Sequence, residues 1–175
     1  MEFFDVVKER FSCRKFSSKP VENEKLEKIL EAGRLAPTAK NAQPVKVWVI
    51  KSPEALEKIK STTPFAWLKD VQVILAVGGT KEGAFLRPSD NRNFGDVDAT
   101  IVATHLMLAI ENEGLGTTWI GFFDVPKVKE FFPEMKDYDL VALFPVGYKA
   151  DDAEPSDRHP LRKSKEEFVK ILNLK

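Results

Sequence analysis

The sequence predicts one domain in which helices and β-strands alternate, in the order α-α-β-α-β-α-β-α-β-α, with four or five strands. Three observations carry this. The 175 residues fall within the span of a single domain, residues 1–175. A hydrophobic fraction of 43% beside 31% charged residues is the balance of a globular chain with a core of its own. Apolar residues recur at helical spacing in some segments and in short alternating or continuous runs in others.

Each element has its own signal. Residues 2–9 place Phe3, Phe4, Val6 and Val7 on a short helical stripe, and residues 11–19 form a polar connection rich in Ser and basic side chains. Residues 24–34 repeat Leu26, Ile29 and Leu30 at helical spacing, with Asn23 as N-cap and Pro37 ending the run. Residues 37–44 read as an irregular loop, and the alternating, β-rich residues 45–50 as a strand. Ser52 before Pro53 is an N-cap followed by proline at the first helical position, opening a helix to about Lys60. Residues 71–77 are almost continuously apolar, as a strand buried on both faces would be. Residues 78–95 are the longest irregular stretch, of a length that marks functional or mobile loops. The longest helix is predicted over 96–113, stopped by Gly114. A short strand over 117–121, a short helix over 125–132 capped by Asp124, an apolar strand over 140–146, a polar linker over 149–160 and a last helix over 164–172 capped by Ser164 complete the chain. Within residues 99–110 only Thr100, Thr104 and His105 are polar. A helix apolar nearly all round is buried on more than one side, and one of those sides is expected to face another subunit.

Composition removes several function classes. Lys plus Arg equals Asp plus Glu at 27 each, so the basic excess of a general nucleic-acid binder is missing. No apolar run approaches the roughly 18 residues of a membrane-spanning helix. The first residues carry acids where a signal peptide has basic ones, so a cytoplasmic location is expected. The lone Cys13 rules out an intrachain disulfide and a multi-cysteine metal site. His105 and His159 form no H-E-x-x-H pair, and no metal site is expected. Nucleophile-elbow, P-loop and dinucleotide fingerprints are all missing from the sequence. An enzyme with this inventory borrows its reactivity from a cofactor, and no catalytic side chain is nominated.

Four segments offer chemistry. Arg10-Phe-Ser12-Cys-Arg14 sets two guanidinium groups about a hydroxyl, a donor set suited to phosphate oxygens, although on composition alone solvated surface charge is the plainer explanation. Ala36-Pro37-Thr38-Ala39-Lys40-Asn41-Ala42-Gln43-Pro44 holds amides and a hydroxyl between two prolines. It suits hydrogen bonding to a flat heterocycle, or simply joins a helix to a strand. Gly114-Leu-Gly116-Thr-Thr-Trp119-Ile120-Gly121 allows backbone N–H groups to approach a ligand. Asp157-Arg158-His159-Pro160-Leu161-Arg162 adds guanidinium groups near the C-terminal end.

These segments, in this order, resemble the nitroreductase family of FMN-dependent oxidoreductases. Arg10-x-Ser12-x-Arg14 with Pro20-Val21, the Pro37 to Pro44 loop running into a Trp-containing strand, Asp98 through Ala109 with Gly114-Leu-Gly116-Thr117 and Trp119-Ile120-Gly121, and Pro145-Val-Gly147-Tyr148 with Arg158-x-Pro160-Leu161 carry the resemblance. It implies an α+β fold: a three-layer sandwich with a central mixed, largely antiparallel sheet of four to five strands flanked by helices, in an intertwined homodimer. It implies FMN at two sites between the subunits. Arg10, Ser12, Arg14 and Arg158 would hold the phosphate and pyrimidine side. Pro37, Thr38, Ala39 and Asn41 would come from the partner subunit along the ring, and Ile120 and Gly121 would present backbone to its N5 edge. The implied activity is ping-pong, two-electron transfer from NADH or NADPH to a small electrophilic acceptor such as a nitroaromatic, quinone or enone. A flavin-binding protein without efficient turnover, for storage or regulation, is the alternative. Residues 78–95 lack the large helical insertion of many members; either their Phe85, Arg87, Arg92 and Phe94 gate acceptor access, the aromatics stacking flat electrophiles and the arginines favouring acidic ones, or the loop merely joins strand to helix.

Overall fold

The computed structural model describes residues 2–173. The helices are α1 (Phe3–Glu9), α2 (Asn23–Arg34), α3 (Pro53–Lys60), α4 (Gly95–Asn112), α5 (Val125–Phe131) and α6 (Lys165–Phe168). The strands are β1 (Val45–Ile50), β2 (Val73–Gly79), β3 (Leu86–Arg87), β4 (Arg92–Asn93) and β5 (Asp139–Val146).

The central sheet is antiparallel in the order β1-β2-β5, with Val47 opposite Val77 and Leu75 opposite Phe144. Because β2 is the middle strand, all seven of its residues are buried, which explains its continuous apolar run. Alternate residues of β2 feed opposite faces. Val73, Leu75 and Val77 pack with Leu26 and Ile29 of α2 and Ala99, Val102, Leu106 and Ile110 of α4. Ile74 and Ala76 pack with Leu56 and Ile59 of α3, Val128 of α5, and Leu68 and Met135. The sheet thus lies between two helical layers. Helices α2 and α4 approach closely at Gly33, where a Cβ would fall 2.6 Å from Leu106 Cδ2.

Local signals are realised where the sequence carries them. Ser52 accepts the Ala55 N–H at 3.3 Å, and Asp124 accepts that of Lys127 at 3.1 Å. Gly114 ends α4 at φ +73°. Four expectations need correction. Helix α2 starts at Asn23 with Glu22 in the cap position; the Asn23 amide oxygen instead accepts from Lys51 Nζ at 3.3 Å. Residues 117–121 form no strand; Gly116 and Ile120 make single bridges to Gly147 and Leu143, and Thr117 makes a parallel bridge to Ser12. The central sheet therefore has three continuous strands, all antiparallel, rather than a mixed set of four or five; the parallel Ser12–Thr117 bridge lies outside it. The last helix is a single turn. Ser164 caps it as expected, and Glu167 closes a capping box, but Phe168 and Ile171 are 82% and 81% exposed, so among the described residues little packing carries the helix onward. Residues 78–95 are also less irregular than expected, because β3 and β4 pair as a hairpin with Asn91 in its turn at φ 56°. Among the described residues, no helix is long and apolar enough to cross a membrane.

Candidate functional site

After α1 the chain runs as an extended arm along the end of the sheet. The Cys13 N–H donates to the Thr117 carbonyl at 2.9 Å, Ser17 N–H to Tyr148 at 2.9 Å, and Ala150 N–H to Lys15 at 3.1 Å. An extended arm alternates its faces, so Phe11 and Cys13 are buried while Ser12 and Arg14 turn outward. Cys13 is the packing residue its sequence context suggests. Its thiol donates to the Lys15 carbonyl at 3.1 Å, and burial pushes its pKa up. Ser12 and Arg14 line a cleft of about 230 Å³ with Lys15, Asp152, Glu154 and Ser156. The Lys15–Asp152 ion pair, at 2.6 Å, spans it and holds the Asp152 carboxyl below its usual range. Behind the arm, Lys149 meets the buried Glu111 at 2.5 Å and lies 4.9 Å from the centre of the Phe11 ring.

The guanidinium groups fall into two classes. Arg34, Arg87 and Arg92 are paired with Glu31, Asp90 and Asp96. Arg10, Arg14, Arg158 and Arg162 have no carboxylate partner among the described residues; Arg14 reaches the Ser12 carbonyl, at 3.3 Å, and Arg162 the His159 and Leu161 carbonyls, at 2.5 and 2.7 Å. Arg10 follows α1, and Arg158 lies two residues beyond Ser156 of the cleft.

The parallel Ser12–Thr117 bridge brings residues 116–121 to the same edge. Ile120 is buried and bridged to Leu143, while Gly121 is exposed; a Cβ there would meet only Trp119 Nε1, at 4.0 Å. Thr117 Oγ1 is buried with no hydrogen-bond partner among the described residues.

Pro37, Thr38, Ala39 and Asn41 lie elsewhere. Their loop contains a short 3₁₀ turn, Ala39–Asn41, and places Lys40, Asn41 and Gln43 at φ 54°, 54° and 53°. Thr38 Oγ1 accepts the Gln43 N–H at 3.0 Å, and Asn41 Oδ1 accepts from Gln43 Nε2 at 3.0 Å. The Ala39 N–H is held by Asp98, in the first turn of α4, at 2.9 Å. The arm instead meets the chain at Thr117, just past the other end of that helix. About 21 Å of α4 separates Asp98 from Asn112. One chain therefore holds Ser12 beside Thr117, just past one end of α4, and Ala39 beside Asp98 at the other.

Sequence reasoning gave no role to Lys15, Asp152 or Ser156, and quoted Asp98 only as part of a motif. The Lys15–Asp152 pair spans 137 positions, a contact that no local pattern announces. Asp98 carried little signal of its own, since Asp96 is a second acid in the same helical turn.

The family model described as the nitroreductase family matches residues 7–63 and 62–148. A nitroreductase family protein from Clostridium difficile 630 has a structure similar to this one at a TM-score of 0.88, with 32% identity over 99% of this chain and 100% of that one. An NADPH-dependent oxidoreductase of Staphylococcus epidermidis is 24% identical over 177 residues, spanning 91% of this chain and 70% of the relative. A structure from Exiguobacterium sibiricum solved in complex with FMN shares the fold at a TM-score of 0.83 and 22% identity, over 98% of both chains. Matching along most of its length and resembling its members in all three layers, the chain belongs to the nitroreductase family.

Proposed function

We propose that the protein is an FMN-dependent oxidoreductase that works as a homodimer, taking electrons from NADH or NADPH and passing them to a small, flat electrophile. The observation that carries this reading is the division of the arginines. The three nominated for the FMN phosphate, Arg10, Arg14 and Arg158, have no carboxylate partner among the described residues, and neither has Arg162, whereas Arg34, Arg87 and Arg92 are neutralised locally. A phosphate monoester carries nearly two negative charges, and guanidinium forks match its oxygens. The Ser12 hydroxyl supplies a further donor, and the open space at Gly121 lets backbone approach a planar ring. The residues present fit the group.

Bound FMN would supply the two-electron exchange between donor and acceptor. The chain's own residues bind and orient. Arg10, Ser12, Arg14 and Arg158 hold the phosphate and pyrimidine side, Ile120 and Gly121 offer backbone at the reacting edge, and Pro37, Thr38, Ala39 and Asn41 border the ring from the partner subunit. Dimerisation joins the two groups that α4 holds apart. It would also cover the exposed Phe3, Phe4, Phe168 and Ile171. The shared fold with an FMN complex and the NADPH dependence in a relative's name support the same reading.

The test is anaerobic. Purified protein reconstituted with FMN is mixed with NADH and NADPH separately, and the flavin absorbance is followed before and after adding a nitroaromatic, a quinone or an enone. Bleaching by a donor and recovery with an acceptor, in separate phases, is the expected result. Tight FMN binding with no bleaching by either donor would point to storage or regulation instead.

A further inference from the structure

The loop that holds Ala39 and Asn41 also presents Lys40, and the hairpin β3–β4 reaches it. Lys40 Nζ lies 4.8 Å from the centre of the Phe85 ring. Phe85 and Phe94 face each other across the base of the hairpin, with ring centres 5.4 Å apart at 58°, and the Phe94 N–H donates to the Phe85 carbonyl at 2.9 Å. Arg87 completes the group, 5.5 Å from the centre of Phe94. Two aromatic rings and two cations therefore converge beside the loop assigned to the flavin ring.

The two cations are not equivalent. Arg87 is forked onto Asp90, its Nε at 2.7 Å, and Arg92 on the next strand pairs with Asp96 at 3.2 Å. The expectation that the hairpin arginines favour acidic acceptors therefore loses its basis, since both charges are already met. Lys40 has no carboxylate partner among the described residues, and its only neighbour of note is an aromatic face. A cation over a ring is positioned without being neutralised. Its backbone sits at φ 54°, ψ 21°, a conformation that a long side chain adopts at a cost.

We propose that Lys40 and the Phe85–Phe94 ring pair form the recognition element for a flat aromatic acceptor that bears a carboxylate. The acceptor's ring packs against the phenyl groups and its carboxylate meets the Lys40 ammonium. This rests on the oxidoreductase reading for its purpose, and specifies the substrate class of that site.

The test compares 4-nitrobenzoate with 4-nitrobenzamide, which match in shape and differ in charge. Equilibrium dissociation constants for both are measured by calorimetry on the FMN-loaded dimer, for the parent, K40N and K40R. Asparagine is chosen because it removes the charge yet tolerates the left-handed conformation. The parent is expected to prefer the benzoate, K40N to lose about three- to fivefold of that preference, as an exposed ion pair allows, and K40R to keep it. Added salt should erode the parent's preference. A preference unchanged in K40N, or absent from the parent, overturns the proposal. Because binding needs no turnover, failure of NADH and NADPH to bleach the flavin would sink the oxidoreductase reading while the ratio still judges Lys40.

Discussion

Asp98 Oδ1 accepts the Ala39 N–H at 2.9 Å, and Oδ2 of the same carboxylate is buried with no hydrogen-bond partner among the described residues. One side chain near the start of α4 thus fixes a loop in which three nearby non-glycine residues adopt left-handed backbone angles. Asp98→Ala leaves the Ala39 donor unpaired, which should cost about 1–3 kcal/mol, less whatever is recovered by removing the unpartnered oxygen. FMN should bind more weakly and thermal unfolding should come earlier. Asp98→Asn retains an acceptor oxygen and should fall between parent and Ala in both measurements. An Asn variant as impaired as Ala would show that the carboxylate charge, not the hydrogen bond, holds the loop.

Arg10 and Arg14 make the sharpest test of cofactor binding. Replacing either with Ala removes a charge-assisted contact worth roughly 1.5–3 kcal/mol, so FMN affinity should drop about ten- to a hundredfold. Fluorescence titration of free FMN reads this directly. Affinity unchanged in both variants would remove the arm from the site.

The Glu111–Lys149 pair should matter to stability more than any exposed ion pair in the chain. Glu111 is 4% exposed, so Lys149→Met strands a buried carboxylate at a cost of about 3 kcal/mol. Changing both residues, Glu111→Leu with Lys149→Met, should restore much of the loss in denaturant unfolding. If the losses simply add, the two groups are not coupled.

Cys13 predicts a pH dependence. Burial raises its folded-state pKa above the unfolded value. Below about pH 8.5 both states keep the thiol proton and its contribution to stability is complete. Above that, the unfolded chain ionises first, so stability declines as pH rises toward the folded value. The difference in stability between parent and Cys13→Ala, followed from pH 7 upward, should therefore narrow in alkali, and thiol reagents should label native Cys13 slowly. A difference that stays constant with pH would mean that the folded thiol ionises as readily as the unfolded one.

Elements governed by neighbours in sequence were legible in advance. Ser52 with Pro53, Asp124, Gly114 and Ser164 each act within three or four residues, and each does what its type suggests. Misreadings arose where a distant partner decides. Residues 117–121 have strand composition, yet their partners Ser12 and Leu143 permit only isolated bridges. Asn23 has the right chemistry for a cap, but Lys51 claims its side chain. The β3–β4 hairpin had a readable signal in Pro88, Asp90 and Asn91, all turn formers. At the site, sequence order nominated the arm and the loop; their placement at opposite ends of α4 required the fold.

That placement turns α4 into a counting device. If each flavin takes its phosphate contacts from one chain and its ring contacts from the other, two different inactive variants can rescue each other. In a mixed dimer of an Arg14→Ala chain and an Asp98→Ala chain, one pocket inherits both lesions and the other inherits neither. Co-expression with two distinct tags, followed by isolation of doubly tagged dimers, should yield one tightly bound FMN per two chains, where each parental variant binds poorly. Sites built within single chains would give two damaged pockets and no rescue. The same arithmetic caps recovery at half the parental flavin content, so a lesion in either half of the site could be masked genetically by a lesion in the other.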